Sequence, residues 1–219
     1  MSVKQKVIAI DGPSASGKGT VASRVAAALG FDYLDSGALY RLTALYAQQQ
    51  HAEWHDEAAV AALAERLPAE FKDGSIWLNG QDVSEAIRTE AIGMGASAVA
   101  QLPKVRAALL QRQRDFLGDK GLVGDGRDMG SVVFPEAALK IFLTASAQVR
   151  AERRAKQLGL PCEGVAFDRI LSDIEARDEA DRRRAVAPLQ QLPDALLLDT
   201  TDLGIEESVK KVLDWYSKV

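Results

Sequence analysis

A short apolar run, Val7 to Ile10, passes through Asp11 into Gly12-Pro13-Ser14-Ala15-Ser16-Gly17-Lys18-Gly19-Thr20, and a helical pattern begins near Thr20. Few folds accommodate that succession. A strand that feeds a glycine-rich turn and then a helix points successive backbone N–H groups at one spot, and the helix N-terminus adds its partial positive charge there. Lys18 supplies a mobile full charge suited to the β and γ phosphates of a nucleotide. This is the setting of a P-loop, with Gly12, Pro13, Ser14, Ala15, Ser16, Gly17, Lys18, Gly19 and Thr20 as the expected ATP cradle. The strict pattern has Ser or Thr directly after the lysine; here Gly19 intervenes and the hydroxyl arrives at Thr20. The following helix shows Val21, Val25, Ala28 and Leu29 on one face and ends at Gly30.

Further apolar runs suit buried parallel strands: Leu122 to Val123, Leu139 to Leu143 and Ala195 to Leu198. Ile205, Val209, Val212, Leu213 and Tyr216 mark a C-terminal helix. Strands alternating with helices predict an α/β fold on a parallel sheet, with ligands bound beyond the carboxyl ends of the strands. Between about residues 65 and 90 the pattern changes, with turn signals at Asp73-Gly74 and Asn79-Gly80 that predict a small antiparallel insert. Leu158 to Glu163, with Gly159 and Pro161 between two Arg-rich helical stretches, reads as a flexible tip.

A chain of 219 residues with 47% hydrophobic and 26% charged residues fits an ordinary globular protein, one main domain with an excursion from it. The net charge of -4 gives no general reason to bind nucleic acid or an anionic membrane, so any anion site must be local. Eight of the sixteen arginines lie between Arg150 and Arg184, which concentrates positive charge in an acidic chain. Cys162 is the only cysteine, which excludes an intrachain disulfide and fits a reducing compartment. Val7 to Ile10 is too short for a signal-peptide core or a membrane span, so the expected location is cytoplasmic. His51 and His55, beside Trp54 and Asp56, read as surface residues.

A second acidic element, Leu122-Val123-Gly124-Asp125-Gly126-Arg127-Asp128, ends an apolar strand in a carboxylate. Asp125 stands where a Walker-B-like aspartate would hold Mg²⁺ with Thr20 as its partner; Mg²⁺ keeps much of its hydration and needs few protein ligands. A P-loop by itself leaves a kinase and a nucleotide-dependent switch both open. Against the switch, no Asn-Lys-x-Asp guanine-reading segment occurs, and the arginine clusters suit two phosphorylated ligands better than one.

Three further segments narrow the choice: Asp35-Ser36-Gly37-Ala38-Leu39-Tyr40-Arg41, Gly126-Arg127-Asp128-Met129-Gly130 and Arg177-Asp178-Glu179-Ala180-Asp181-Arg182-Arg183-Arg184-Ala185-Val186-Ala187-Pro188-Leu189. Together with the Gly19-Thr20 variant of the loop they resemble bacterial cytidylate kinase over essentially the whole chain. The resemblance implies a P-loop three-layer α/β fold: a central five-stranded parallel sheet, a helical NMP-binding region carrying a small antiparallel β insert, and a lid. It implies one domain over 1–219, with core about 1–36, 107–149 and 185–219, NMP-binding region about 37–106 and lid about 150–184. The implied reaction moves the γ-phosphoryl group of ATP, with Mg²⁺, onto CMP or dCMP in a monomeric enzyme; another P-loop kinase using UMP is the alternative.

Residue by residue, the resemblance implies that Ser36 and Arg41 hold the acceptor, that Arg127 contacts its phosphate, and that Asp128 and Arg106 read the cytosine with Ser97. Cytosine presents an exocyclic amine donor beside ring acceptors, which suits a carboxylate together with donors; uracil reverses that edge. Arg177 and Asp181 are implied near the sugar and Arg184 near the reacting phosphates; their i, i+4, i+7 spacing would put all three on one helix face. Arg150 and Arg153, ahead of Arg154, resemble lid arginines that neutralise charge in transit, which with Lys18, Arg127 and Arg184 completes the implied catalytic set. Ala15 and Ser16 depart from the group by standing where glycine is also common, and Arg112 and Arg114 read as a solvated helix face.

Overall fold

The computed structural model describes residues 5–72 and 74–219, Gln5 by its backbone alone. Asp73 of the expected Asp73-Gly74 turn, and the first four residues of the N-terminal segment, lie outside the described residues. In chain order the elements are β1 (Gln5–Asp11), α1 (Lys18–Leu29), β2 (Asp32–Asp35), α2 (Ser36–Gln49), α3 (Glu57–Glu65), β3 (Ala69–Lys72), β4 (Ser75–Leu78) and β5 (Gln81–Asp82). They continue with α4 (Glu90–Val99), α5 (Pro103–Arg114), β6 (Leu122–Gly126), a π turn (Met129–Val133), β7 (Ala137–Thr144), α6 (Ala147–Gln157), α7 (Val165–Arg183), β8 (Leu196–Asp199) and α8 (Ile205–Tyr216). The chain divides into two compact units, one made of the chain up to Leu34 together with Phe116–Val219, the other of Asp35–Asp115.

The first unit is built on the expected five-stranded parallel sheet, ordered β2-β6-β1-β7-β8. β1 is central, paired in parallel with β6 on one side and β7 on the other, which explains why Val7, Ile8, Ala9 and Ile10 are buried without alternation. Its core gathers Ile8, Ile10, Val123, Leu139, Ile141 and Leu198 from the strands with Val21 and Val25 of α1 and Val209 and Val212 of α8. Val21 and Val25 of the expected α1 face are buried together with Ala22 and Ala26, and Leu29 packs partly against the core; Ala28 alone departs and is exposed. Gly30 ends α1 at φ 66 as expected. β8 forms one edge of the sheet, and its Leu196 and Leu197 are about half exposed.

The fifth strand, β2, carries no apolar run: in Asp32-Tyr33-Leu34-Asp35 only Leu34 is fully buried. The second unit packs α2, α3, α4 and α5 around Leu39, Leu42, Val60, Leu63, Val99, Val105 and Leu109. It also contains the expected antiparallel insert, β3-β4-β5. The Asn79-Gly80 turn has φ of 51 and 74, the left-handed pair that joins a tight hairpin. Among the described residues no helix is long and apolar enough to cross a membrane.

Candidate active site

In the first unit β1 delivers its end directly into the glycine-rich loop. A Cβ on Gly12 would stand 2.0 Å from the Leu143 carbonyl oxygen, so the loop can leave the sheet here only as glycine. Gly12 N–H then donates to Gly126 O at 3.3 Å. Ala15 takes φ 55, a left-handed conformation that accounts for glycine being common at this place, and its methyl group packs against a cluster of Ala151, Ala155, Phe167 and Ile174. Gly17 turns at φ 87 to start α1 at Lys18. Lys18 is buried and donates to Pro13 O at 3.2 Å, inside the loop's own curve. The Ser16 hydroxyl is buried with no hydrogen-bond partner among the described residues. An unsatisfied buried donor in the loop that leads into a helix N-terminus suits phosphate oxygens.

Asp125, at the end of β6, is buried and accepts a hydrogen bond from the Tyr33 hydroxyl at 2.6 Å. A Cβ on Gly19 would stand 3.4 Å from Asp125 Oδ2 and 3.4 Å from Tyr33 Oη, so this carboxylate faces the first turn of α1 beside Lys18 and Thr20. Thr20 is exposed. No group of three or more His, Cys, Asp or Glu side chains suited to a metal occurs among the described residues. One carboxylate and one hydroxyl at a phosphate cradle nevertheless fit Mg²⁺, an ion that keeps much of its hydration and takes few protein ligands.

Asp11 lies beneath the same loop, and its two carboxylate oxygens accept from Met129 N–H at 2.8 Å and Gly130 N–H at 2.9 Å. Burial pushes its pKa up from 3.8 to about 6, with the two amides and Arg127 opposing that rise and Asp128 adding to it. Asp11 thereby fixes the start of the π turn, where Asp128 is buried and its carbonyl accepts from Val132 N–H and Val133 N–H. Arg127 donates through Nε to Asp181 Oδ2 at 2.6 Å and through Nη1 to Gly126 O at 3.3 Å. Burial works against the Arg127 charge, but Asp181, aided by Asp125 and Asp178, holds its pKa above the ordinary value. Burial likewise pushes the Asp181 carboxyl up, and Arg127, Arg184 and Arg177 outweigh it, so its pKa lies below 3.8.

Arg150 and Arg153 lie on α6. Arg150 is buried and spends its guanidinium on protein acceptors: Nε donates to Ala145 O at 2.9 Å, Nη1 to Ser14 O at 3.0 Å and Nη2 to Asp178 Oδ2 at 2.6 Å. Arg153 donates to Ser16 O and Thr200 Oγ1, each at 3.1 Å, and to Thr200 O at 2.6 Å. Both bond backbone carbonyls of the glycine-rich loop, against which α6 packs through Ala151 and Ala155. Arg177 and Asp181 lie on α7 as expected, while Arg184 is the residue that ends the helix, at ψ 134, and donates to Ala187 O at 2.8 Å. Arg182 and Arg183 are exposed and pair with Glu179.

Within the second unit Ser36 is buried in the first turn of α2, and Arg41 donates to Ile87 O at 2.9 Å while lining the face of α4 at Gly93. Arg106 on α5 is buried rather than solvated, donates to Ala100 O at 3.1 Å and stacks 5.7 Å above the Tyr40 ring. Ser97 bonds back to Gly93 O at 3.2 Å in its own helix. Arg112 departs from the solvated-face reading: it is half-buried and donates to Leu67 O and Ala69 O, each at 2.6 Å, tying α5 to the start of β3. Arg114 is exposed. His51 and His55 are exposed as expected.

The family model described as cytidylate kinase matches residues 8–218, and the cytidylate kinase of Neisseria meningitidis serogroup A is 78% identical over 216 residues, which cover 99% of each chain. The chain belongs to the cytidylate kinase family. Similarity extends to the cytidylate kinase of Chromobacterium violaceum, 62% identical over 212 residues, 97% of this chain and 96% of that one. An uncharacterized protein from Eubacterium ventriosum aligns structurally with a TM-score of 0.55 at 9% identity, over 98% of this chain and 100% of the other, which speaks for the fold alone. In this member of the cytidylate kinase family, sequence reasoning missed Asp11, Tyr33 and Asp178. Asp178 had a signal: it stands at i+4 from Ile174 on the buried stripe of α7 that starts at Phe167, so a charged residue occupies a core position. Asp11 closes an apolar strand just before Gly12, a place where a carboxylate must find donors. For Tyr33, in a strand without apolar alternation, no signal exists.

Proposed function

We propose that this chain transfers the γ-phosphoryl group of ATP to CMP or dCMP, giving ADP and CDP or dCDP. The observation that carries the reading is the cradle itself: Gly12 to Thr20 with buried Lys18, the Ser16 hydroxyl that has no partner among the described residues, and the Asp125 carboxylate facing the first turn of α1. The acceptor phosphate oxygen is already anionic, so no general base is required; positioning and charge neutralisation are the whole task. Lys18 holds the donor phosphates. Thr20 and Asp125 would hold Mg²⁺, which when bound neutralises charge on the transferring phosphates. Arg127, oriented by Asp181, and Arg184 supply positive charge for the acceptor phosphate and the group in transit.

For the acceptor, Ser36 and Arg41 are assigned to nucleotide binding, Arg177 and Asp181 to the sugar, and Asp128, Arg106 and Ser97 to the cytosine edge. Family membership supports those assignments, as does the burial of Ser36, Arg106 and Asp128. A buried carboxylate facing a uracil carbonyl would be left unpaired, the strong form of discrimination between related substrates. The chain is further proposed to act as a monomer in the cytoplasm. Coupled ADP production with ATP, Mg²⁺ and each of CMP, dCMP, UMP and AMP tests the reading: kcat/KM should be highest for CMP or dCMP. In Asp128→Ala the preference for CMP over UMP should shrink by at least about ten-fold. Equal efficiency for CMP and UMP in the parent would defeat the Asp128 assignment.

A further inference from the structure

We propose that Arg150 and Asp178 form a buried clamp that sets the peptide planes of the phosphate cradle, making them positioning residues for donor-nucleotide binding. The inference rests on the reading of Gly12 to Thr20 as that cradle. Both side chains are almost fully buried, 5% and 3% exposed, and their charges meet at 2.6 Å. They close on one residue of the loop. Ser14 O accepts from Arg150 Nη1 at 3.0 Å, and the Ser14 hydroxyl reaches Asp178 Oδ1 at 3.5 Å.

A trans peptide is planar, with its carbonyl and the next N–H pointing to opposite sides. Holding Ser14 O on the α6 side therefore turns the Ala15 N–H away from α6, into the concave side of the loop where a phosphate would lie. Arg153 repeats the device two peptide planes later: it takes Ser16 O at 3.1 Å, which turns the Gly17 N–H away from α6 in its turn. The Ala15 conformation, φ 55, is one that alanine resists, and a second contact holds it there, its methyl group against Ala151, Ala155, Phe167 and Ile174. Three independent contacts thus fasten one strained turn to α6 and α7. Nothing in the loop requires a buried ion pair for solubility or packing, and such a pair is weak support for stability as such. Its geometry is better matched to fixing donors in advance of an anion.

The clamp is tested by calorimetric titration with ADP and, separately, with CMP. A double replacement, Arg150→Met with Asp178→Leu, removes both charges together and avoids leaving one of them buried alone. It should melt near the parent temperature yet bind ADP at least about ten-fold more weakly, the worth of one charge-assisted hydrogen bond. CMP binding should weaken by far less, and the Ala15 and Gly17 amide resonances should move. Asp178→Asn, nearly isosteric, guards against a double variant that does not fold: it should show the same ADP-selective loss in smaller measure. ADP affinity within about two-fold of the parent in a folded double variant, or equal losses for ADP and CMP in Asp178→Asn, would overturn the clamp. Failure of the parent to bind ADP would instead overturn the cradle reading beneath it.

Discussion

At the scale of single residues, the least expected finding is a carboxylate whose burial costs stability. The Asp11 pKa of about 6 lies above its ordinary 3.8, so folding favours the protonated form: its contribution is fully present below pH 3.8 and is lost as pH rises through about 6. That gap corresponds to roughly 3 kcal/mol. Urea unfolding of the parent and of Asp11→Asn at pH 4 and pH 7 should therefore show the parent gaining on the variant by about that amount at the lower pH. A constant difference would refute the assignment. Asp181 has the opposite sign. Its depressed pKa gives a contribution present above pH 3.8 and lost as pH falls below it. Lys18→Ala should leave unfolding curves intact while cutting kcat by at least about a thousand-fold, and near-normal turnover would remove Lys18 from the chemistry. Lys18 was legible because its motif is local in sequence. Asp11, Tyr33 and Asp178 act through partners 118, 92 and 164 residues away, and no local pattern encodes such pairings.

Among the elements, those whose burial is periodic could be read directly. β1, β6, β7 and α8 announce themselves by apolar runs or by a helical stripe, and the Asn79-Gly80 turn by the residues that tolerate left-handed backbone. β2 could not be read this way: it is an edge strand of four residues with two aspartates, and pairing with β6 rather than composition makes it a strand. The reading of α5 shows the same limit. Arg106 and Arg112 sit among polar neighbours in a helix of low apolar content, yet one is buried and the other bonds the backbone of another element. Arg112→Met would keep the stem but leave Leu67 O and Ala69 O without their charged donor. The expected cost is about 2 kcal/mol in denaturant unfolding, against less than about 0.5 kcal/mol for the exposed Arg114→Met.

For the molecule as a whole, the class of fold was accessible from one strand–loop–helix unit, and the reaction class from that unit together with the segments Asp35 to Arg41, Gly126 to Gly130 and Arg177 to Leu189. The division into units was less so: the expected boundaries near residues 36 and 107 compare with Leu34 and Phe116, since α5 completes the second unit instead of opening the core. That unit is continuous in sequence and holds its own buried residues from α2 to α5. Residues 35–115, produced alone, should give a helical spectrum and a cooperative thermal transition; a chain without cooperativity would show that the segment depends on the rest.

The edge strand β8 bears on how the protein behaves when concentrated. An open sheet edge invites pairing with another chain, and two half-exposed leucines at such an edge make the invitation stronger. Brevity counters it. β8 runs for four residues and ends on Asp199, while Asp194 just before it is ion-paired with Lys140, so an intruding strand finds few free backbone groups and meets a carboxylate at one end. A change that lengthened β8 or neutralised Asp199 would therefore tell first in aggregation and only later in turnover.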